Sequence, residues 1–532
     1  MTTTRRIAGA AALIAVITVA ARIVGFARIL VFNWSVGAND LGTIYQSANT
    51  LPNIIFEIVA GGALASLVVP LLAGPIEAGD TRQVSRITSA LLTWTLALLV
   101  PTALVVGLAA EPIIGLLSAE AGPRMVEVGA AMLRVFAPQL PLYGVGIVLT
   151  GVLQAHHRFA WPALAPLLSS VTVIAAYGVF PLVDFRGADV DQVSTAGELT
   201  LSVGTTLGVA VLSLCLLWPL IRLGLRLRPT FTLSADVGAR LRRLAMAGAV
   251  SVGAQHLALL VVVYLTNPPA PRGALIVYTI AQTVFFLPWG VLAVPVATSA
   301  YPVLARSYVA GDDPRYRRTL ATTTRGVLLL ASAGAAILVA VAEPAARVIG
   351  SAAAENPSYP ALTAGIAWFA PGLVGYALFA LLSRALYARE ATTVAARATA
   401  AGWGTVIVAD LLLAWWLPVA DRVAALAAGN TIGMMVLGAL LLWATGHRAG
   451  PESLAGTLRA GSAGIVAGCL GATAGWYAGQ ALFSRQTPEA NLAQGVVAAL
   501  VTLVVFGAVI LVADRGDLMR LAKGVRRGKL SS

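Results

Sequence analysis

The chain has 532 residues, 58% of them hydrophobic and only 11% charged, with a mean hydropathy of +0.85 and a formal net charge of +13. Soluble globular chains carry about 25% charged residues, so the composition excludes a soluble enzyme or nucleic-acid-binding domain and specifies an all-α polytopic membrane protein. Apolar runs of about 20 residues, enough to cross a hydrocarbon core of ~30 Å, recur down the whole length. About fourteen spans are expected, centred near residues 20, 60, 98, 143, 172, 210, 254, 290, 333, 373, 404, 434, 470 and 502.

The first run follows "MTTTRR", which resembles the charged start of a signal peptide. It is too long for one and carries Arg22 and Arg28 within "ARIVGFARILVFNWSVGAND", so it reads as a retained span. An arginine at the centre of a membrane helix costs about 2.5 to 3.5 kcal/mol, and needs water or a partner. The two arginines diverge by about 120° on a straight helix, which lets both line one wide cavity; snorkelling toward an interface is the alternative for each. Span two contains "TLPNIIFEIVAGGALAS". Pro52 removes a helical hydrogen bond, and Gly61 and Gly62 permit bending or close approach. Glu57 reads either as a neutralising partner of Arg22 or Arg28 or as a carboxylate that competes with an anionic substrate for them. His256, in span seven, reads as a hydrogen-bonded packing residue.

Span eight, "TVFFLPWGVLAVPVA", holds Pro288, Gly290 and Pro295, and broken helices in corresponding places of two halves point to a transport site. Asp410 in span eleven is a candidate proton or Na⁺ site, with hydration near the outer end of its span as the competing reading. Cys215 and Cys469 both lie in apolar runs and suggest neither a disulfide nor a metal site. No nucleotide-binding or nucleophile motif appears. A non-enzymatic protein without catalytic residues, metal or cofactor is expected, with coupling to Na⁺, H⁺ or the membrane potential.

Basic residues gather at Arg5 and Arg6, at Arg82 and Arg86, at Arg222, Arg226, Arg228, Arg240, Arg242 and Arg243, at Arg306, Arg315, Arg317 and Arg318, and at the C-terminus. Alternate loops such as "NWSVGAND" and "DFRGADVDQVSTAGE" are neutral or acidic. By the positive-inside rule both termini face the cytoplasm. The tail "DRGDLMRLAKGVRRGKLSS" reads as a basic interfacial helix meeting anionic lipid, or as a plain topology anchor.

The chain repeats itself. "VVPLLAGPIEAGD" at 68–80 is echoed by "AYPVLARSYVAGD" at 300–312, pairing Pro70 with Pro302 and Asp80 with Asp312 at a spacing of about 232 residues. Arg86 falls on Arg318 and Pro112 on Pro344, and "FAPQLPLYG" from Phe136 matches "FAPGLVGYA" from Phe369 in a register that continues to Ala155 and Ala388. Copies six spans apart are parallel, which predicts two six-helix lobes and two extra helices. The expected divisions are 1–228 (spans one to six), 229–449 (spans seven to twelve) and 450–532 (spans thirteen and fourteen with the basic tail).

These segments carry a family resemblance. "ARIVGFARILVFNWSVGAND", "LPN" at 51–53, "GGALASLVVPLL" at 61–72 and "FLPWGVLAVPVATSAYPVLARSYVAGD" are similar to the MurJ (MviN) family of lipid II flippases, within the multidrug/oligosaccharidyl-lipid/polysaccharide exporter superfamily. The resemblance implies a V-shaped pair of lobes around a cationic central cavity, a groove at spans thirteen and fourteen for an undecaprenyl tail, and alternating access in a bacterial inner membrane. It makes Arg22 and Arg28 the two first-span cavity arginines, ligands for the pyrophosphate of an undecaprenyl-linked peptidoglycan precursor. Membrane lipids and cell-wall synthesis proteins would be its partners, and nucleic acid would not. The chain departs from the family at Ile29, where an acidic residue is usual, at Phe56 and Glu57 in place of a basic pair, at Gly61 in place of an acidic residue, and at Thr283 in place of an arginine. Those departures leave open another polyprenyl-linked saccharide as cargo. A cation exporter of the related MATE type and a non-transporting membrane scaffold of the same fold are the further alternatives.

Overall fold

The computed structural model describes residues 2–58, 62–118, 120–232, 252–351, 353, 359–482 and 487–513. Every extended regular element among them is a helix. Eleven helical stretches are long and apolar enough to cross a membrane, or twelve when α15 (Tyr359–Phe369) and α16 (Gly372–Ala388), bent by 43°, are counted as one span. The remaining expected spans border residues outside that set. The second is built from α2 (Asp40–Phe56) and α3 (Gly62–Glu77), and the seventh holds α11 (Val252–Thr266). Gly61 and the C-terminal tail lie outside the described residues.

Contacts divide the chain into two compact units, Met1–Ile276 with Ala352–Glu355 and Val277–Ser351 with Asn356–Ser532. The expected divisions after residues 228 and 449 follow the sequence repeat rather than this packing. In the first unit α1 (Thr2–Ser35) lies on α8 (Ala160–Val183), α2 on α6 (Pro123–Phe136) and α7 (Gln139–Ala155), and α8 on α9 (Thr195–Leu214). The buried Tyr45 hydroxyl is 2.8 Å from that of Tyr177 and 2.6 Å from Thr205 Oγ1, so α2, α8 and α9 share one polar link inside the apolar core.

The two loops that read as neutral or acidic knit one end of this unit together. Asn39 caps α2 by accepting from the Gly42 N–H, while its amide donates to the carbonyls of Val36, Gly187 and Ala188. Asp189 accepts from the Leu41 N–H at 3.1 Å, and Arg272 bridges Asp40 at 3.2 Å and Asp189 at 3.6 Å. Burial lifts the Asp40 carboxyl above the usual carboxylate range; Asp189 adds to the rise and Arg272 opposes it.

In the second unit α14 (Asp313–Ser351) carries α19 (Thr457–Leu482) and α20 (Pro488–Ala513), which are spans nine, thirteen and fourteen. The glycines of α19 explain how three helices meet so closely. Gly464 abuts Ser332 of α14, whereas Gly471, Gly475 and Gly479 abut Thr502, Ala498 and Gln494 of α20. In lipid, such small-residue stripes replace the hydrophobic effect as the source of helix association.

The repeat is visible as repeated geometry. The "AGD" segments make the same turn twice: Gly79 and Gly311 have φ of 69° and 70°, Asp80 N–H donates to Pro75 O and Asp312 N–H to Ser307 O, both at 2.9 Å. Each aspartate then caps the next helix, Asp80 at the start of α4 (Thr81–Leu108) and Asp312 at the start of α14. Glycine is required because the left-handed conformation costs other residues about 1 to 2 kcal/mol.

Two outcomes are expected in detergent-solubilised protein. Gly475→Val places a side chain into Ala498 and Thr502 and should lower the unfolding temperature by several degrees, while Gly461→Val, which meets open space, should not. Because the folded Asp40 carboxyl lies above its unfolded value, its contribution to stability is complete below the unfolded value and lost as pH rises through the folded one. Arg272→Gln should therefore destabilise at neutral pH and have a smaller effect below about pH 4, where Asp40 is protonated. Equal losses at both pH values would reject the electrostatic account.

Candidate functional site

Arg22 is exposed and Arg28 half-buried on α1. Among the described residues neither has a carboxylate within 4.0 Å. Arg28 lies within electrostatic reach of Tyr45, Tyr143 and Tyr177, and Glu57 also acts on Tyr143. The structure thus brings Arg28 and Glu57 toward one tyrosine without joining them in an ion pair. The neutralised-pair reading of Glu57 does not describe this arrangement.

Glu57 sits where α2 stops being an α-helix. Pro52 is accommodated inside α2, and after Phe56 the backbone widens into a π turn at 57–58, with Glu57 N–H shared between the carbonyls of Asn53 and Ile54. The second unit does the same: α12 (Ala274–Pro288) ends at Pro288, residues Trp289–Ala293 form a π turn that contains Gly290, and α13 (Val294–Val309) resumes. π turns inside α-helices recur at functional sites. Both breaks are braced by aromatic pairs, at positions that lie within one residue of each other in the repeat register. Phe56 stacks on Tyr143 at 5.5 Å, and Trp289 meets Tyr376 edge-on at 5.1 Å; Tyr45 meets Phe136 at 5.7 Å, and Tyr278 meets Phe369 at 5.2 Å. Tyr143, Tyr376, Phe136 and Phe369 belong to the repeated "FAPQLPLYG" and "FAPGLVGYA". That repeat was the signal for their structural role, which the sequence reading did not use.

Asp410, on α17 (Thr392–Trp416), is fully buried, and neither carboxylate oxygen has a hydrogen-bond donor among the described residues. Hydration near the outer end of the span is overturned by packing: Gly429 of α18 (Arg422–Ala449) lies directly against the carboxylate, with Gly433 against Val406 one turn on. Tyr278 is the nearby aromatic that feels its charge. An ionised carboxylate buried this way is costly unless a cation or a proton meets it. Thr283 donates to Thr279 O within α12, and His256 Nδ1 lies 2.9 Å from Val252 O, a contact internal to its own helix. No cluster of metal-ligating residues occurs among the described residues.

If Asp410 is retained for an ion rather than for packing, the near-isosteric Asp410→Asn, which removes the charge without adding volume against Gly429, should leave stability in detergent unchanged or raise it by up to about 1 to 3 kcal/mol. The same substitution should abolish any cation dependence of transport. A large loss of stability would show instead that the carboxylate is a packing element.

The sequence profile of the family described as Lipid II flippase MurJ matches residues 32–510. "Probable lipid II flippase MurJ" of Rhizobium tropici is 28% identical over 389 residues, covering 72% of this chain and 71% of that protein. Lipid II flippase MurJ of Burkholderia cenocepacia is 25% identical over 390 residues, covering 70% and 72%. Among solved structures, a lipid II flippase MurJ in an inward closed conformation superposes with a TM-score of 0.75 at 17% identity, covering 94% of this chain and 98% of that one. An inward-facing MATE-family multidrug transporter of the MOP superfamily gives 0.67 at 14% identity, covering 83% and 99%.

Proposed function

The chain belongs to the lipid II flippase MurJ family, and from that membership we propose that it moves lipid II, the undecaprenyl-pyrophosphate-linked peptidoglycan precursor, from the cytoplasmic to the outer leaflet of a bacterial inner membrane. The observation that carries this reading is the pair of arginines on span one that, among the described residues, have no acidic partner. A guanidinium offers forked donors that match phosphate oxygens, and a pyrophosphate is the anion that would offset the cost of holding Arg22 and Arg28 in an apolar span. Glu57 is a like charge to the substrate, so it favours release once the anion leaves the arginines.

Transport proceeds by alternating access, in which a ligand shifts the equilibrium between states only as far as it binds one better than the other. Bending takes place at the interrupted second and eighth spans, through Pro52, Gly62, Pro288 and Gly290. Asp410 takes up the coupling proton or Na⁺, and both termini face the cytoplasm. A second cargo, another polyprenyl-linked saccharide, is favoured by Phe56, Glu57 and Thr283, where cations of the family are missing. Cell-wall synthesis proteins are its partners in either case.

The test is complementation of cells depleted of their own lipid II flippase, scored as lipid II in the outer leaflet at matched membrane abundance. The parent chain should restore it. Arg28→Ala and Arg22→Ala should each lower it by about ten-fold or more, since a charge-assisted hydrogen bond is worth about 1.5 to 3 kcal/mol. Full activity in both variants would remove the arginines from the site. Failure of a well-inserted parent would move the cargo to another polyprenyl-linked saccharide.

A further inference from the structure

A second cationic site stands apart from the transport arginines, at the end of the first unit where the basic loops gather. A cavity of about 670 Å³ is lined by Arg82, Ser85 and Arg86 on α4 and by Arg226, Arg228 and Thr230 on the extended segment after α10 (Leu217–Ile221). The segment is held by a ladder of hydroxyls. Arg226 N–H donates to Ser85 Oγ at 3.3 Å, Arg228 N–H to Ser89 Oγ at 3.0 Å and Thr230 N–H to Thr93 Oγ1 at 3.1 Å. Hydroxyls one helical turn apart thus meet every second amide of an extended chain, so the segment climbs α4 in fixed register.

That register aims the charges. Arg82 and Arg86 share one face of α4, and Arg226 and Arg228 share one side of the extended segment. All four are exposed, and among the described residues none has a carboxylate within 4.0 Å. The positive-inside rule accounts for arginines in these loops, but not for backbone bonds that set two of them against two others around one cavity.

The upper end of the segment is apolar. Trp94 Nε1 donates to Phe231 O at 3.2 Å, their rings meet edge-on at 5.2 Å, and both stay about half exposed, at 49% and 59%. Exposed aromatics of this kind settle at the level of lipid headgroups. Guanidinium groups on one side and interfacial aromatics on the other fit a ligand with a phosphate and an acyl chain better than a soluble phosphate.

We propose that this cavity is a binding site for the phosphate headgroup of an anionic membrane lipid in the cytoplasmic leaflet, separate from the cargo site. Bound lipid would fix the segment that leads from span six toward span seven.

The experiment is native mass spectrometry of the full chain in detergent, titrated with phosphatidylglycerol, phosphatidylethanolamine or inorganic pyrophosphate. Phosphatidylglycerol should bind at least ten-fold tighter than phosphatidylethanolamine. The double variant R226Q/R228Q should lose about 25-fold, near five-fold per arginine, while R315Q/R318Q, which removes equal charge outside the cavity, should keep the preference. On the unsubstituted chain, phosphatidylglycerol should shield Arg226 and Arg228 from phenylglyoxal. Equal losses in both variants would reduce the effect to general charge attraction, and absence of shielding would also overturn the site. Tight pyrophosphate binding without phosphatidylglycerol binding would make it a soluble-phosphate pocket and refute the lipid assignment.

Discussion

In a bilayer, every backbone donor and acceptor has to be met from within the protein, so a membrane helix can be interrupted only where the lost bonds are replaced. Both copies of the repeat solve this with a π turn at equivalent places. Glu57 N–H keeps two carbonyl acceptors, and Val294 N–H reaches back to Trp289 O. In the second unit the break is thereby satisfied rather than open, and aromatic side chains pack against both breaks. Tyr143 and Tyr376 supply the aromatic faces on which Phe56 and Trp289 rest. A widened turn lets a helix pivot while remaining hydrogen-bonded, as a transporter requires of a moving element in hydrocarbon.

Charge follows a complementary logic. Among the described residues Arg22 and Arg28 have no carboxylate within 4.0 Å, and Asp410 has no hydrogen-bond donor. An uncompensated charge in an apolar span costs free energy by itself. Elsewhere the same chain pairs its ions closely: Arg124 with Glu198 at 2.9 Å, Arg347 with Glu343 at 2.7 Å, Arg389 with Asp313 at 3.0 Å. The contrast separates charges that are met within the fold from charges that have no such partner among the described residues.

Much of this was legible in the residues. The spans followed from apolar run length, and the repeated "AGD" from one turn that demands a left-handed glycine followed by a capping aspartate. Pro52, Pro288 and Gly290 marked the broken helices because proline removes a backbone donor and glycine relaxes the backbone. Burial was not legible. Asp410 reads as near the outer end of its span, yet Gly429 on a neighbouring helix seals it, and no local pattern reports what a distant helix places opposite. The roles of Ser85, Ser89 and Thr93 were not legible for the same reason, since their partners lie more than a hundred residues away. The basic loops were visible only as a topology signal, because spacing in sequence does not reveal which arginines face one another.

The ladder on α4 has a consequence for how this surface can change. It grips the extended segment by backbone amides at alternate positions, so at 226 and 228 the attachment does not depend on the side chain carried, apart from one with no amide hydrogen to offer. Recognition chemistry and structural attachment are thus assigned to different atoms of the same residues. The side chains at 226 and 228 can be exchanged for others while the rail beneath them stays in register, which makes this stretch a place where ligand preference can drift without the fold having to follow.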